Sequence, residues 1–216
     1  MHPIVGIAIF AAAVGVIVWI GVMFDKRRQR ELTDAAADLG LDFEADGTAS
    51  LAIYDDFACL NQRRRRPARN RMFGQIADIE VHCFEARHRV QAGKNSHTIT
   101  ETVVAATLPH RAWPTFRLER EGIGSRLRQV FGAADLDFDD DPAFSKAWHL
   151  SADDEAAIRA WFTPARREAI GTPAGNIIEA RDRRVVIKRH RSRVRPRDLA
   201  GHILDSVDLI NRMGSA

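Results

Sequence analysis

The hydrophobic pattern divides the chain at Phe24. From Ile4 to Phe24 it reads IVGIAIFAAAVGVIVWIGVMF without a charge, and a helix of about 21 residues rises about 31 Å, enough for a hydrocarbon core of about 30 Å. Only Met1, His2 and Pro3 precede this run, while Lys26, Arg27, Arg28 and Arg30 follow it. A cleaved signal peptide has its positive charge ahead of a shorter apolar stretch. The reversed order predicts an uncleaved signal anchor that crosses the membrane once, with the C-terminal domain in the cytoplasm by the positive-inside rule. Ala11 and Gly15 form a small-xxx-small pair, a weak signal for a homodimer through that helix.

After the expected anchor at 1–25, residues 26–40 carry Leu32, Ala35, Ala36 and Leu39 at helical spacing and predict a juxtamembrane helix stopped by Gly40. A soluble domain then spans 41–216. Residues 41–45 read as a short strand, and 51–60 place Ile53, Tyr54, Phe57 and Leu60 at near-helical spacing. From Gln75 to Val90, Ile79, Val81 and Cys83 alternate with Asp78, Glu80 and His82, the period of a half-buried strand. A turn at Gly93–Ser96 joins it to the Thr- and Val-rich run His97–Leu108, giving a long antiparallel hairpin. Thr115–Glu119 reads as another short strand and 125–131 as a helix ended by Gly132. Ser151 with Asp154 resembles a capping box ahead of a helix bearing Ile158, Trp161 and Phe162. Residues 176–180 and 183–188 form a second hairpin. Leu199, Ile203, Val207 and Ile210 define an amphipathic C-terminal helix that begins at Pro196. Grouped strands with separated helices predict an α+β domain with a mainly antiparallel sheet.

The chain holds 32 Lys plus Arg against 29 Asp plus Glu, and its charge is segregated. Arg63, Arg64, Arg65, Arg66, Arg69 and Arg71 form one basic block. Lys188, Arg189, Arg191, Arg193, Arg195 and Arg197 form a second, and eight carboxylates lie between Asp135 and Glu155. The two basic blocks are candidates for contact with anionic lipid headgroups, where each Lys or Arg near the surface contributes about 1 kcal/mol. The alternative is that they are solvated or pair with acids inside the fold. Nucleic acid is not an expected partner, because both blocks lack the aromatic side chains that stack on bases.

Catalytic and cofactor signatures are weak. Asp135, Asp137, Asp139 and Asp141 alternate as in a calcium loop, but Asp140 stands where that loop needs Gly and Lys146 where it needs Glu. His82, Cys83, His88 and His97 are the densest group of soft ligands, yet His82 and Cys83 point to opposite faces of one strand. Gly122-Ile123-Gly124 lacks the rest of a dinucleotide fingerprint. No catalytic residue, cofactor or metal is assigned. Cys59 and Cys83 permit at most one disulfide and would be reduced in a cytoplasmic domain.

The N-terminal apolar run, Leu39-Gly40-Leu41, Asn70 to Gly74 before a long strand, Thr98 to Val104 ending at Leu108-Pro109, and Phe144-Ser145-Lys146 with Trp148 make a layout that resembles a family of uncharacterised single-pass bacterial membrane proteins. The resemblance implies membrane placement and carries no activity. The expectation is a membrane-anchored, non-catalytic module that binds a protein partner or the inner leaflet. Its alternative is an enzyme whose site gathers His82, Cys83 and His97.

Overall fold

The computed structural model describes residues 3–60, 68–92, 95–120, 136–172 and 175–215. One helix, α1 (Pro3–Asp38), runs through both the apolar and the charged part of the N-terminal sequence. Its end is a Schellman turn: Gly40 sits at φ 68°, its N–H donates to Ala37 O, and the Leu41 N–H donates to Ala36 O at 2.8 Å. Leu41 then packs in the same core as Leu32 and Ala36. The charged half of α1 therefore packs as a wall of the domain.

The membrane anchor expected from the sequence is not carried by the structure. Among the described residues no helix is long and apolar enough to cross a membrane. The transmembrane helix, its reading as a signal anchor, and the single-pass cell-membrane placement with a cytoplasmic domain are corrected accordingly. Phe10, Ile17, Trp19 and Phe24 of α1 are all more than 60% exposed.

The remaining strands form one antiparallel sheet, α+β in class as the pattern predicts. They are β1 (Asp42–Asp46), β2 (Ala68–Ile76), β3 (Ile79–Ala92), β4 (Asn95–Thr107), β5 (Trp113–Arg120), β6 (Trp148–Ala152), β7 (Asn176–Asp182) and β8 (Arg184–Arg189). Their spatial order is β1-β2-β3-β4-β8-β7-β5-β6. The β7–β8 hairpin is thus inserted between β4 and β5, pairing Val104 with Ile187 on one side and Leu118 with Ile178 on the other.

Two strands escaped the sequence reading. β2 lies partly in the arginine-rich block and is bulged between Arg69 and Met72, and β6 is only five residues long. Three short helices follow β5: α2 (Pro142–Ala147), α3 (Glu155–Trp161) and α4 (Pro164–Ile170). Asp154 itself caps α3, accepting from the Ala157 N–H at 3.0 Å, whereas Ser151, expected in that role, is paired within β6. Asp141 caps α2 by accepting from the Phe144 N–H. The helix expected at 125–131 lies outside the described residues. The last helix, α5 (Pro196–Ser215), buries Leu199, Ile203, Val207 and Ile210 as its period predicts.

Alternation along the strands gives the sheet two buried faces. On one, Val81, Cys83, Val104, Phe116, Leu118 and Ile187 meet apolar residues of α1 to α5. On the other, Phe84, Val103, Ala105 and Val186 are covered by Leu51, Tyr54, Phe57 and Cys59. Burial pushes the Tyr54 phenol up to about 12, and its hydroxyl lies 2.9 Å from Thr107 Oγ1. Tyr54→Phe is expected to cost about 1 kcal/mol, the typical net value of one such hydrogen bond, measured by urea unfolding.

Candidate functional site

The structure sorts the two predicted basic blocks by what each side chain meets. Arg63, Arg64, Arg65 and Arg66 lie outside the described residues. Arg69 is exposed on β2, but Arg71 is buried: it pairs with Glu44 at 2.8 Å, donates to His82 Nδ1 at 3.2 Å and stacks over Phe73. Burial first, and then the Arg71 charge, hold the His82 imidazole below its ordinary value. A neutral ring that accepts at Nδ1 can donate from Nε2 to Glu80, which lies 3.2 Å away. Arg71 and His82 therefore stabilise the fold and are not poised toward an external anion.

Lys188 is fully buried and sits 3.2 Å from the equally buried Glu101 carboxylate, with His88 on the same oxygen at 3.4 Å. The strand period explains this, since Lys188 shares a face with Val186, and Glu101 with Val103. The same face carries Arg117, paired with Glu119 at 2.9 Å and 3.7 Å from Glu179. Glu179 accepts the N–H groups of Ala58 and Cys59, each at 2.7 Å, and so pins the 51–60 segment to the sheet. Burial, and next the Glu179 charge, push the Cys59 thiol well up, which leaves it unreactive. This strip of charges is closed to solvent.

Among the described residues, the second basic block is outward at the corner where β8 turns into α5. Arg189 is half-buried, Arg191 exposed, and the Arg195 and Arg197 side chains are 67% and 71% exposed. The connection that carries them is strapped to the sheet. The Arg191 N–H donates to Glu101 Oε1 at 2.8 Å, the Thr102 N–H donates to Ser192 O, and the Val194 N–H donates to Thr102 Oγ1. Arg193 turns inward and donates from Nε and Nη2 to Glu85, which also receives Arg28 of α1 at 2.9 Å and Asn70. Arg28 also donates to Val194 O. Burial alone would raise the Glu85 carboxyl, but hydrogen bonds and charge from Arg193 and Arg28 more than offset it and hold it low. The buried acids therefore fix the strap, and the strap fixes the arginines.

Between this strap and α5 lies an open cleft of about 570 Å³ lined by Arg189, Arg193, Arg195 and His202, with Asp198 and Asp205. Asp198 is engaged by Arg195 at 2.7 Å and by Arg197 at 3.7 Å. Among the described residues Arg189 has no carboxylate partner. A preorganised group of guanidiniums beside an imidazole can receive the oxygens of an anion.

The enzyme alternative named His82, Cys83 and His97. Cys83 is buried on the opposite sheet face from His82. His97 is exposed near the distal end of the β3–β4 hairpin, eight positions along β4 from the partner of His82, about 26 Å away. The fold does not bring the three together. The acidic run also has internal work: Asp140 and Asp141 bind the buried Arg167, which stacks over Phe138. Sequence reasoning missed that pairing and the strap, because both depend on partners far away in the chain.

No family model matches this chain, and no curated protein does. Among solved structures, it resembles the crystal structure of the mycobacterial trehalose monomycolate transport factor A, TtfA, with a TM-score of 0.61 at 15% sequence identity, over 86% of this chain and 93% of that one. The likeness is one of fold.

Proposed function

We propose that the protein is a non-enzymatic binding module with a lipid-associated role, which engages anionic headgroups through Arg189, Arg191, Arg195 and Arg197. The observation that carries this reading is the strapped corner: of the two basic blocks, these arginines are held outward by backbone and side-chain bonds, while Lys188, Arg71 and Arg193 are spent on internal acids. The fold of a protein named as a transport factor is in keeping with a binding role.

The test is flotation of the full chain with vesicles of phosphatidylglycerol and phosphatidylethanolamine against zwitterionic vesicles alone. Any contribution from the apolar part of α1 is common to both, so the difference is the readout. Preference for the anionic vesicles should fall as salt shortens the Debye length. Replacing all four arginines by glutamine should weaken it about 100-fold or more, from about 1 kcal/mol per residue. Equal partition onto both compositions, or an unchanged preference in the quadruple variant, would reject the reading.

A further inference from the structure

We infer that the cleft between the strap and α5 is a discrete site for one phosphate-class anion, received by Arg189, the outward face of Arg193 and His202. The inference rests on the binding role proposed above and assigns its ligand.

Charge balance is the first argument. Arg28 and Arg193 share a single carboxylate, Glu85, so that junction holds one positive charge in excess. Arg195 and Arg197 share Asp198, a second charge in excess. Arg189 adds a third unmatched cation, and Asp205, which also lines the cleft, cancels one of the three. The corner keeps a net positive charge, which a phosphate-class anion offsets.

Donor geometry is the second. Glu85 occupies Nε and Nη2 of Arg193, and the side chain is 32% exposed, so Nη1 remains for the cleft that Arg193 lines. His202 Nε2 is buried and has no hydrogen-bond partner among the described residues. Burial first and the Arg189 charge next hold this imidazole below its ordinary value, and a ring N–H can donate to an anion. Donors arriving from β8, from the strap and from α5 suit the tetrahedral oxygens of a phosphate better than a planar carboxylate. The volume of about 570 Å³ exceeds a phosphate and leaves room for the rest of a headgroup. The strap holds Arg193 in place before the ligand arrives.

The experiment compares the full chain with Arg189→Gln and His202→Phe, with Arg189→Lys as the conservative variant. In the first arm, thermal unfolding is followed as sodium phosphate replaces chloride at fixed ionic strength. At about ten times Kd, phosphate should raise Tm by about 3–5 °C. Arg189→Gln and His202→Phe should lose that rise while keeping their far-UV spectra in chloride, and Arg189→Lys should keep part of it. In the second arm, vesicles containing phosphatidic acid replace free phosphate. Dependence on Arg189 and His202 in the vesicle arm alone assigns the site to a lipid headgroup, and in the first arm alone to free phosphate. Anionic-vesicle binding that both variants leave intact, with no phosphate-dependent rise in Tm, overturns the site while the arginine corner stands. A phosphate rise that depends on both residues, without vesicle binding, keeps the site and rejects the surface.

Discussion

Lys188→Met should destabilise the protein by about 3–5 kcal/mol, because it leaves the Glu101 carboxylate buried without its cation. Lys188 is 0% and Glu101 1% exposed, so solvent cannot take over the pairing. Burial would push the Glu101 carboxyl up, but Lys188, the Arg191 amide and His88 together hold it low. The sign of the pH dependence follows. A depressed carboxyl contributes stability that is present above its unfolded pKa, about 4.3, and is lost as pH falls through the folded value. In the native protein Glu101 and Glu85 therefore both weaken the fold on acidification below about pH 4. Without Lys188 the carboxyl is raised by burial, so the deficit of the variant should shrink as pH is lowered and Glu101 folds protonated. Urea unfolding at pH 7 and pH 5 measures the shrinking deficit of the variant, and unfolding of the native protein below about pH 4 measures the acid loss. Lys188→Met/Glu101→Gln should recover much of the loss, and a double-mutant cycle gives the coupling. Additive single effects would remove the pair from this role. Because Glu101 also holds the Arg191 amide, the single variant should also blunt the preference for anionic vesicles.

Phe162→Ala should cost about 3–5 kcal/mol, or about 10 °C in Tm for a domain of this size. Phe162 is fully buried at the end of α3. Its ring centroid lies 5.0 Å from Phe116 of β5, 4.8 Å from Trp161, and 6.1 Å from both Phe138 and Phe144. Edge-to-face and tilted pairs in this range add to simple burial. The residue thus joins α2, α3 and the sheet. Phe162→Leu should cost less than half as much, since it keeps most of the volume. Thermal and urea unfolding with an unchanged m-value would locate the loss in the folded core. A cost below about 1 kcal/mol would mean that the aromatic cluster collapses around the vacancy.

Legibility followed periodicity. The amphipathic stripe of α5, the β3–β4 hairpin and the β7–β8 hairpin could be read because alternating or helical spacing records which face is buried. β2 was hidden because Arg69 and Arg71 made a strand look like part of a charged surface, and because the bulge between Arg69 and Met72 puts the two arginines on opposite faces and breaks the alternation. Lys188 was hidden the same way at the end of the apolar run Val185–Ile187. The alternation that buries Val186 also buries Lys188, a signal that composition overrode. The acidic run could be read only as a failed calcium loop, whereas Asp141 caps α2 and helps hold Arg167.

By itself the sequence determined the class of fold, most of the long elements and the clustering of basic residues, because these depend on neighbours within a few positions. Only the tertiary structure decided which charges are available. Inserting β8 beside β4 brings Lys188 to Glu101, and packing α1 on the sheet brings Arg28 and Arg193 to one carboxylate. A charge is neutralised by whatever lies within a few ångströms in space, and sheet order, which joins segments far apart in the chain, sets that neighbour.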